Sequence, residues 1–131
     1  MNTHAKRIKD LQYMLKQHGL DAMLMGRTLE IGFLTGFHLD GCAMLVTRSG
    51  AWIYMPKMLL EHFRSKVDFV TAVASEGLPE DAAAARVKEL KFKRAAFEPE
   101  AETYKRGTAW RKAGLVEKDG LTGALRAVKE G

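Results

Sequence analysis

Ala43-Met44-Leu45-Val46-Thr47-Arg48-Ser49-Gly50-Ala51-Trp52-Ile53-Tyr54-Met55 decides the fold of this 131-residue chain. Two apolar runs flank Arg48-Ser49-Gly50, a short loop with glycine at its end, and that combination signals a β-hairpin. Strands and helices otherwise alternate along the chain. One antiparallel hairpin inside such an alternation requires a mixed sheet rather than an all-parallel one.

Upstream of the hairpin, Ile8, Leu11, Met14 and Leu15 repeat at helical spacing from Arg7 onward, with Lys6, Lys9, Asp10 and Lys16 on the other face. Gly19 takes the position after the helix end, where glycine adopts positive φ freely, and His18 falls in the last turn. Asp21 to Met25 reads as a short buried strand ended by Gly26, and Thr28 to Phe33 as a short helix before a Thr35-Gly36 turn. Downstream, Pro56 opens a helix whose Met58, Leu59, His62 and Phe63 form one apolar stripe. Val67 to Val73, rich in Val, Phe and Thr, is the next strand.

Pro79, Glu80 and Asp81 start a helix that runs to Leu90, with the alanines Ala82 to Ala85 supplying propensity. A strand over Arg94 to Phe97, a helix over Ala101 to Lys112 and a strand at Leu115-Val116-Glu117 follow. The closing helix presents Leu121, Leu125 and Val128 on one face. The predicted order is α-β-α-β-β-α-β-α-β-α-β-α, an α/β fold of three layers: a mixed sheet with helices on its faces. No repeat, low-complexity tract or linker interrupts it, so residues 1–131 are expected to form a single unit.

A chain of this size buries roughly two thirds of its unfolded surface, enough for a real core. Its 47% hydrophobic and 28% charged residues are ordinary for a globular protein and argue against a disordered chain. No apolar run reaches the ~20 residues that span a bilayer, and the polar start from Met1 to Asp10 lacks the apolar region of a secretory signal. Cys42 is the single cysteine, so no internal disulfide forms, and the expected compartment is a reducing cytoplasm. The net charge of +5 and pI near 9.4 permit contact with nucleic acid, but the basic residues are scattered apart from Lys88, Lys91, Lys93 and Arg94. We therefore expect a solvated surface and no specific nucleic-acid binding.

A hydrolytic metal site needs carboxylates and histidines converging from ordered elements. His4, His18, His38 and His62 fall in separate segments, with no HxH or HxxxH pair. Ser49, Ser65 and Ser75 lie outside any GxSxG elbow, and Gly26, Gly32, Gly36 and Gly41 make no phosphate-cradling motif. No catalytic residue, metal ligand or resident cofactor is expected in the chain.

Several segments resemble the N-terminal domain of the creatinase/prolidase family of Xaa-Pro peptidases, from Arg7 to about Lys129. Arg7-Ile8-Lys9-Asp10-Leu11 with Gly19-Leu20-Asp21-Ala22-Met23-Leu24 is similar to the family's opening; Phe33-Leu34-Thr35-Gly36-Phe37 resembles its "YLTGF" turn. Ala95-Ala96-Phe97-Glu98 resembles its "iGFE" strand, and Leu125-Arg126-Ala127-Val128-Lys129 the helix that hands over to the catalytic domain. The chain departs from the pattern at Glu30 and Gly32. Met55-Pro56-Lys57-Met58, where aminopeptidase members carry "DxRY", is more similar to prolidase-like members.

The resemblance implies a ribonuclease-H-like topology and a non-catalytic half, with the pita-bread catalytic C-terminal domain absent from these residues. In the family that missing half holds two divalent metals (Mn, Co or Zn) and hydrolyses proline-containing peptides. It implies a homodimer and a loop, His38-Leu39-Asp40, that borders the substrate cleft. Dipeptidase, aminopeptidase and another family substrate such as creatine all remain open. The competing class is a stand-alone module that binds a small ligand, a protein or nucleic acid.

Overall fold

A computed structural model describes residues 2–130, with side chains placed through residue 127. Its elements are α1 (Thr3–Gln17), β1 (Ala22–Met25), α2 (Thr28–Thr35), β2 (Ala43–Thr47), β3 (Ala51–Met55), α3 (Lys57–Lys66), β4 (Thr71–Ala74), α4 (Pro79–Glu89), β5 (Ala95–Phe97), a single 3-10 turn (Pro99–Ala101), α5 (Tyr104–Lys112), β6 (Val116–Glu117) and α6 (Leu121–Glu130). The hairpin stands where its sequence puts it, with Leu45 opposite Trp52 and Val46 opposite Ala51.

β1, β2 and β3 form an antiparallel meander; β5 joins β1 in parallel and β6 joins β5. The resulting order β3-β2-β1-β5-β6 is the ribonuclease-H-like arrangement, and β4 extends it in parallel beyond β3. Both faces of the sheet are covered. Met23, Met25, Met44, Val46, Ile53 and Met55 pack beneath Ile8, Leu11 and Leu15 of α1, Ile31 and Leu34 of α2, Phe63 of α3 and Leu121 and Leu125 of α6. The alternate residues Ala22, Leu24, Ala43, Leu45, Ala95 and Phe97 pack against Ala83 and Val87 of α4 and Trp110 of α5. Double coverage explains why the central strands are apolar throughout instead of alternating. Trp110 meets Phe97 edge-on at 5.9 Å between ring centroids, and its indole N–H donates to Glu80 O at 3.0 Å, so the buried ring has a polar partner.

Local chemistry moves several boundaries. α1 starts at Thr3 rather than Arg7, because the Asn2 side chain accepts from the His4 and Ala5 N–H groups and caps it. The strand expected over 67–73 is confined to β4: Val67 closes α3 through its N–H to Phe63 O, and Val67 and Val70 enter the core from the connection. The helix expected from Ala101 begins at Tyr104, where Thr103 Oγ1 accepts from Arg106 N. The apolar stripe of α3 is narrower than expected. Met58 is 88% exposed and His62 is also exposed, with the His62 ring meeting Phe37 edge-on. The side chain of Val128 lies outside the described residues.

β1 and β3 run in the same direction, as do their parallel partners β4, β5 and β6. The carboxyl ends of five strands therefore share one edge of the sheet, and the loop that enters β2 lies there too. The free edge of β4 is blocked instead: Arg64 Nη2 donates to Ala72 O at 3.0 Å, which discourages strand addition.

Candidate functional site

The loop after α2 lies on this carboxyl edge and is wound tightly by its own groups. Gly36 ends α2 at φ +87°, a left-handed conformation that glycine takes without strain. Thr35 Oγ1 donates to Ile31 O at 2.7 Å and accepts from Phe37 N at 3.1 Å. Asp40 Oδ1 accepts from Gly41 N at 2.9 Å, and Gly41 again has positive φ, +69°. His38 and Asp40 are exposed, while Leu39 is half-buried against the core. The three predicted residues thus diverge. His38 turns back over Gly32 and joins His4, Arg7, Leu29, Phe33 and Gly36 around a cavity of about 300 Å³, whereas Asp40 serves the turn. Arg7 closes that cavity from α1, with Nη1 donating to Phe33 O at 2.9 Å and its guanidinium 4.1 Å from the Phe33 ring centroid.

Three carboxylates that were not expected as site residues have buried side chains on the same edge. Glu30 is 2% exposed; its Oε1 accepts from Arg126 Nη1 at 2.9 Å. Its Oε2 lies 3.4 Å from Arg27 Nε, near enough for electrostatic attraction but without a hydrogen bond. Glu98 accepts from Gly120 N at 3.0 Å and Thr122 N at 3.1 Å, and so caps the first turn of α6. Glu102 holds the Gly26 N–H between its two oxygens at 3.2 Å each and pairs with Arg106 Nε at 2.6 Å. Burial pushes the Glu102 carboxyl above its usual range, with Arg106 and the Gly26 N–H pulling the other way. The only signal for two of these contacts was the motif itself. Glu98 ends the "GFE"-like strand and accepts from the first turn of α6, and Arg126 of the closing helix pairs with Glu30 of α2.

These contacts are hydrogen bonds and ion pairs that fix the loops and helix starts of this edge. No group of three or more His, Cys, Asp or Glu is placed to hold a metal among the described residues. Cys42 is buried, its thiol donates to Asp40 O at 3.7 Å, and burial with the Asp40 charge pushes its pKa up to about 11. The thiolate that nucleophilic chemistry needs is therefore scarce near neutral pH. What the edge offers is surface. Leu29, Met58, Leu78 and Tyr104, at or just before the first turns of α2, α3, α4 and α5, are 40%, 88%, 45% and 88% exposed. No helix among the described residues is long and apolar enough to cross a membrane.

The sheet order and its two helical layers define a three-layer α/β domain with a mixed six-stranded sheet. The sequence matches the model of the creatinase/prolidase N-terminal domain over residues 7–128, and the chain belongs to that family. Solved structures share the fold. The aminopeptidase P (Xaa-Pro aminopeptidase) of Streptococcus thermophilus superposes with a TM-score of 0.84 at 19% identity, over 95% of this chain and 99% of that one. The N-terminal domain of the cytoplasmic peptidase PepQ of Mycobacterium tuberculosis H37Rv gives 0.82 at 23% identity, over 92% and 98%. The Xaa-Pro dipeptidase of Bacillus anthracis gives 0.82 at 22% identity over 94% of this chain but 36% of its own, so the present chain spans about a third of that protein. No curated protein matches the sequence.

Proposed function

We propose that this chain is the non-catalytic N-terminal domain of an Xaa-Pro metallopeptidase of the prolidase or aminopeptidase P kind. Its partners are the catalytic C-terminal domain of the same protein and a second subunit of a homodimer. The catalytic domain supplies two divalent metals, Mn, Co or Zn, and hydrolyses proline-containing peptides, in the cytoplasm. The observation that carries this reading is the carboxyl edge, where His38 lies beside exposed Leu29 and where Met58, Leu78 and Tyr104 are exposed at the starts of three further helices. Exposed apolar side chains at the starts of several helices on one edge fit a surface that another domain or subunit covers. A loop on a rigid scaffold beside such a surface is placed to meet a substrate.

His38 and Asp40 then border the cleft while the metals stay with the other domain. In the full-length enzyme, His38→Ala and Asp40→Ala are expected to change KM or the preferred peptide length and to leave metal occupancy intact. Steady-state kinetics on a dipeptide and a longer Xaa-Pro peptide, with metal content measured alongside, tests this. Unchanged kinetics for both variants would reduce the loop to a structural turn.

A further inference from the structure

The cavity between α1, α2 and the loop after it is lined by one guanidinium, two imidazoles and two large apolar side chains, with no carboxylate among its walls. Arg7 forms no ion pair among the described residues, and its Nε is buried without a hydrogen-bond partner. Among the described residues, neither the His4 nor the His38 ring makes a hydrogen bond to a protein group. Burial, and then the Arg7 charge, lowers the pKa of His4. The backbone is shaped to admit the rings. A Cβ at Gly32 would collide with the His38 ring, and one at Gly36 would stand 3.2 Å from His4 Cε1.

We propose that this cavity binds a small amphipathic carboxylate, with the acid between Arg7 and the imidazoles of His4 and His38 and the apolar body against Leu29 and Phe33. The volume of about 300 Å³ admits one amino-acid-sized acid. A carboxylate supplies the acceptors these donors lack, and charge-assisted bonds of this kind are stronger than neutral ones. The apolar walls favour it over a bare inorganic anion. His38 serves both this cavity and the cleft reading, but the titration uses the 131-residue chain without a peptidase domain, and Asp40→Ala tests the cleft reading apart from the cavity.

The test is a titration of the 131-residue chain followed by NMR at the His4 and His38 imidazole protons. N-acetyl-leucine is expected to give saturable shifts at both rings. N-acetyl-leucinamide, which has the same body without the charge, should give none, and inorganic phosphate should bind at least several-fold more weakly. His38→Gln should weaken N-acetyl-leucine binding about tenfold, the loss expected for one charge-assisted hydrogen bond. Gly32→Ala should do the same by displacing the exposed His38 ring, with the thermal midpoint nearly unchanged. No saturable shift with N-acetyl-leucine, equal shifts with the amide, or unaltered affinity in both variants would overturn the proposal. Phosphate binding as tight as N-acetyl-leucine would overturn the carboxylate assignment.

Discussion

Glu102 shows how one residue can set a local pH response. Its side chain is 1% exposed, bound to the Gly26 N–H and paired with Arg106, yet burial dominates and raises its pKa. A carboxyl with a raised folded pKa keeps its proton in the native state after the unfolded chain has released it. Its contribution is therefore complete below the ordinary carboxylate value and is lost as pH rises through the raised one. Relative to Glu102→Gln, the native protein is expected to lose stability between about pH 4.5 and the raised pKa. Urea unfolding of both proteins across this range measures the difference; a native advantage that grows with pH would contradict the assignment. No periodicity or motif announced this residue. It follows a 3-10 turn, in a stretch expected to be helix, and its partner Gly26 stands 76 positions away.

At the scale of elements, most of the fold was legible because both signals are local. Glycine-bounded apolar runs gave the hairpin, and helix starts such as Pro79-Glu80-Asp81 gave their own boundaries. The misplaced boundaries have equally local causes that spacing does not encode: a side-chain cap at Asn2, another at Thr103, and apolar residues at 67 and 70 that serve the core from a connection. The candidate site was less legible. Ion pairs such as Glu30–Arg126 join residues 96 positions apart, and only the folded sheet brings α2 and α6 together. His38 was singled out, but its neighbours His4 and Arg7 arrive from α1.

The Glu30 hub yields a second prediction. Removing one partner of a buried pair leaves the other charge uncompensated. Because Arg126 and Arg27 keep 27% and 43% of their side chains in solvent, the cost is reduced. We expect Glu30→Ala to destabilise the domain by about 1–3 kcal/mol, with α6 amides exchanging faster than those of β1 and β2. A loss spread evenly over all elements, or none, would mean that the hub does not anchor α6.

For the molecule as a whole, both sheet faces are covered, Arg64 occupies a carbonyl on the β4 edge, and apolar side chains are exposed at helix starts on the carboxyl edge. The net charge of +5 arises from basic residues distributed over helices and connections alike. The central claim is that peptide hydrolysis belongs to a second domain. Xaa-Pro hydrolysis with added Mn or Co, by this 131-residue chain alone and by the native gene product that carries it, tests that claim most directly. The account predicts no turnover and no stoichiometric metal for the chain alone, and chelator-sensitive turnover for the native product. Chelator-sensitive turnover by the chain alone, or none by the native product, would contradict it.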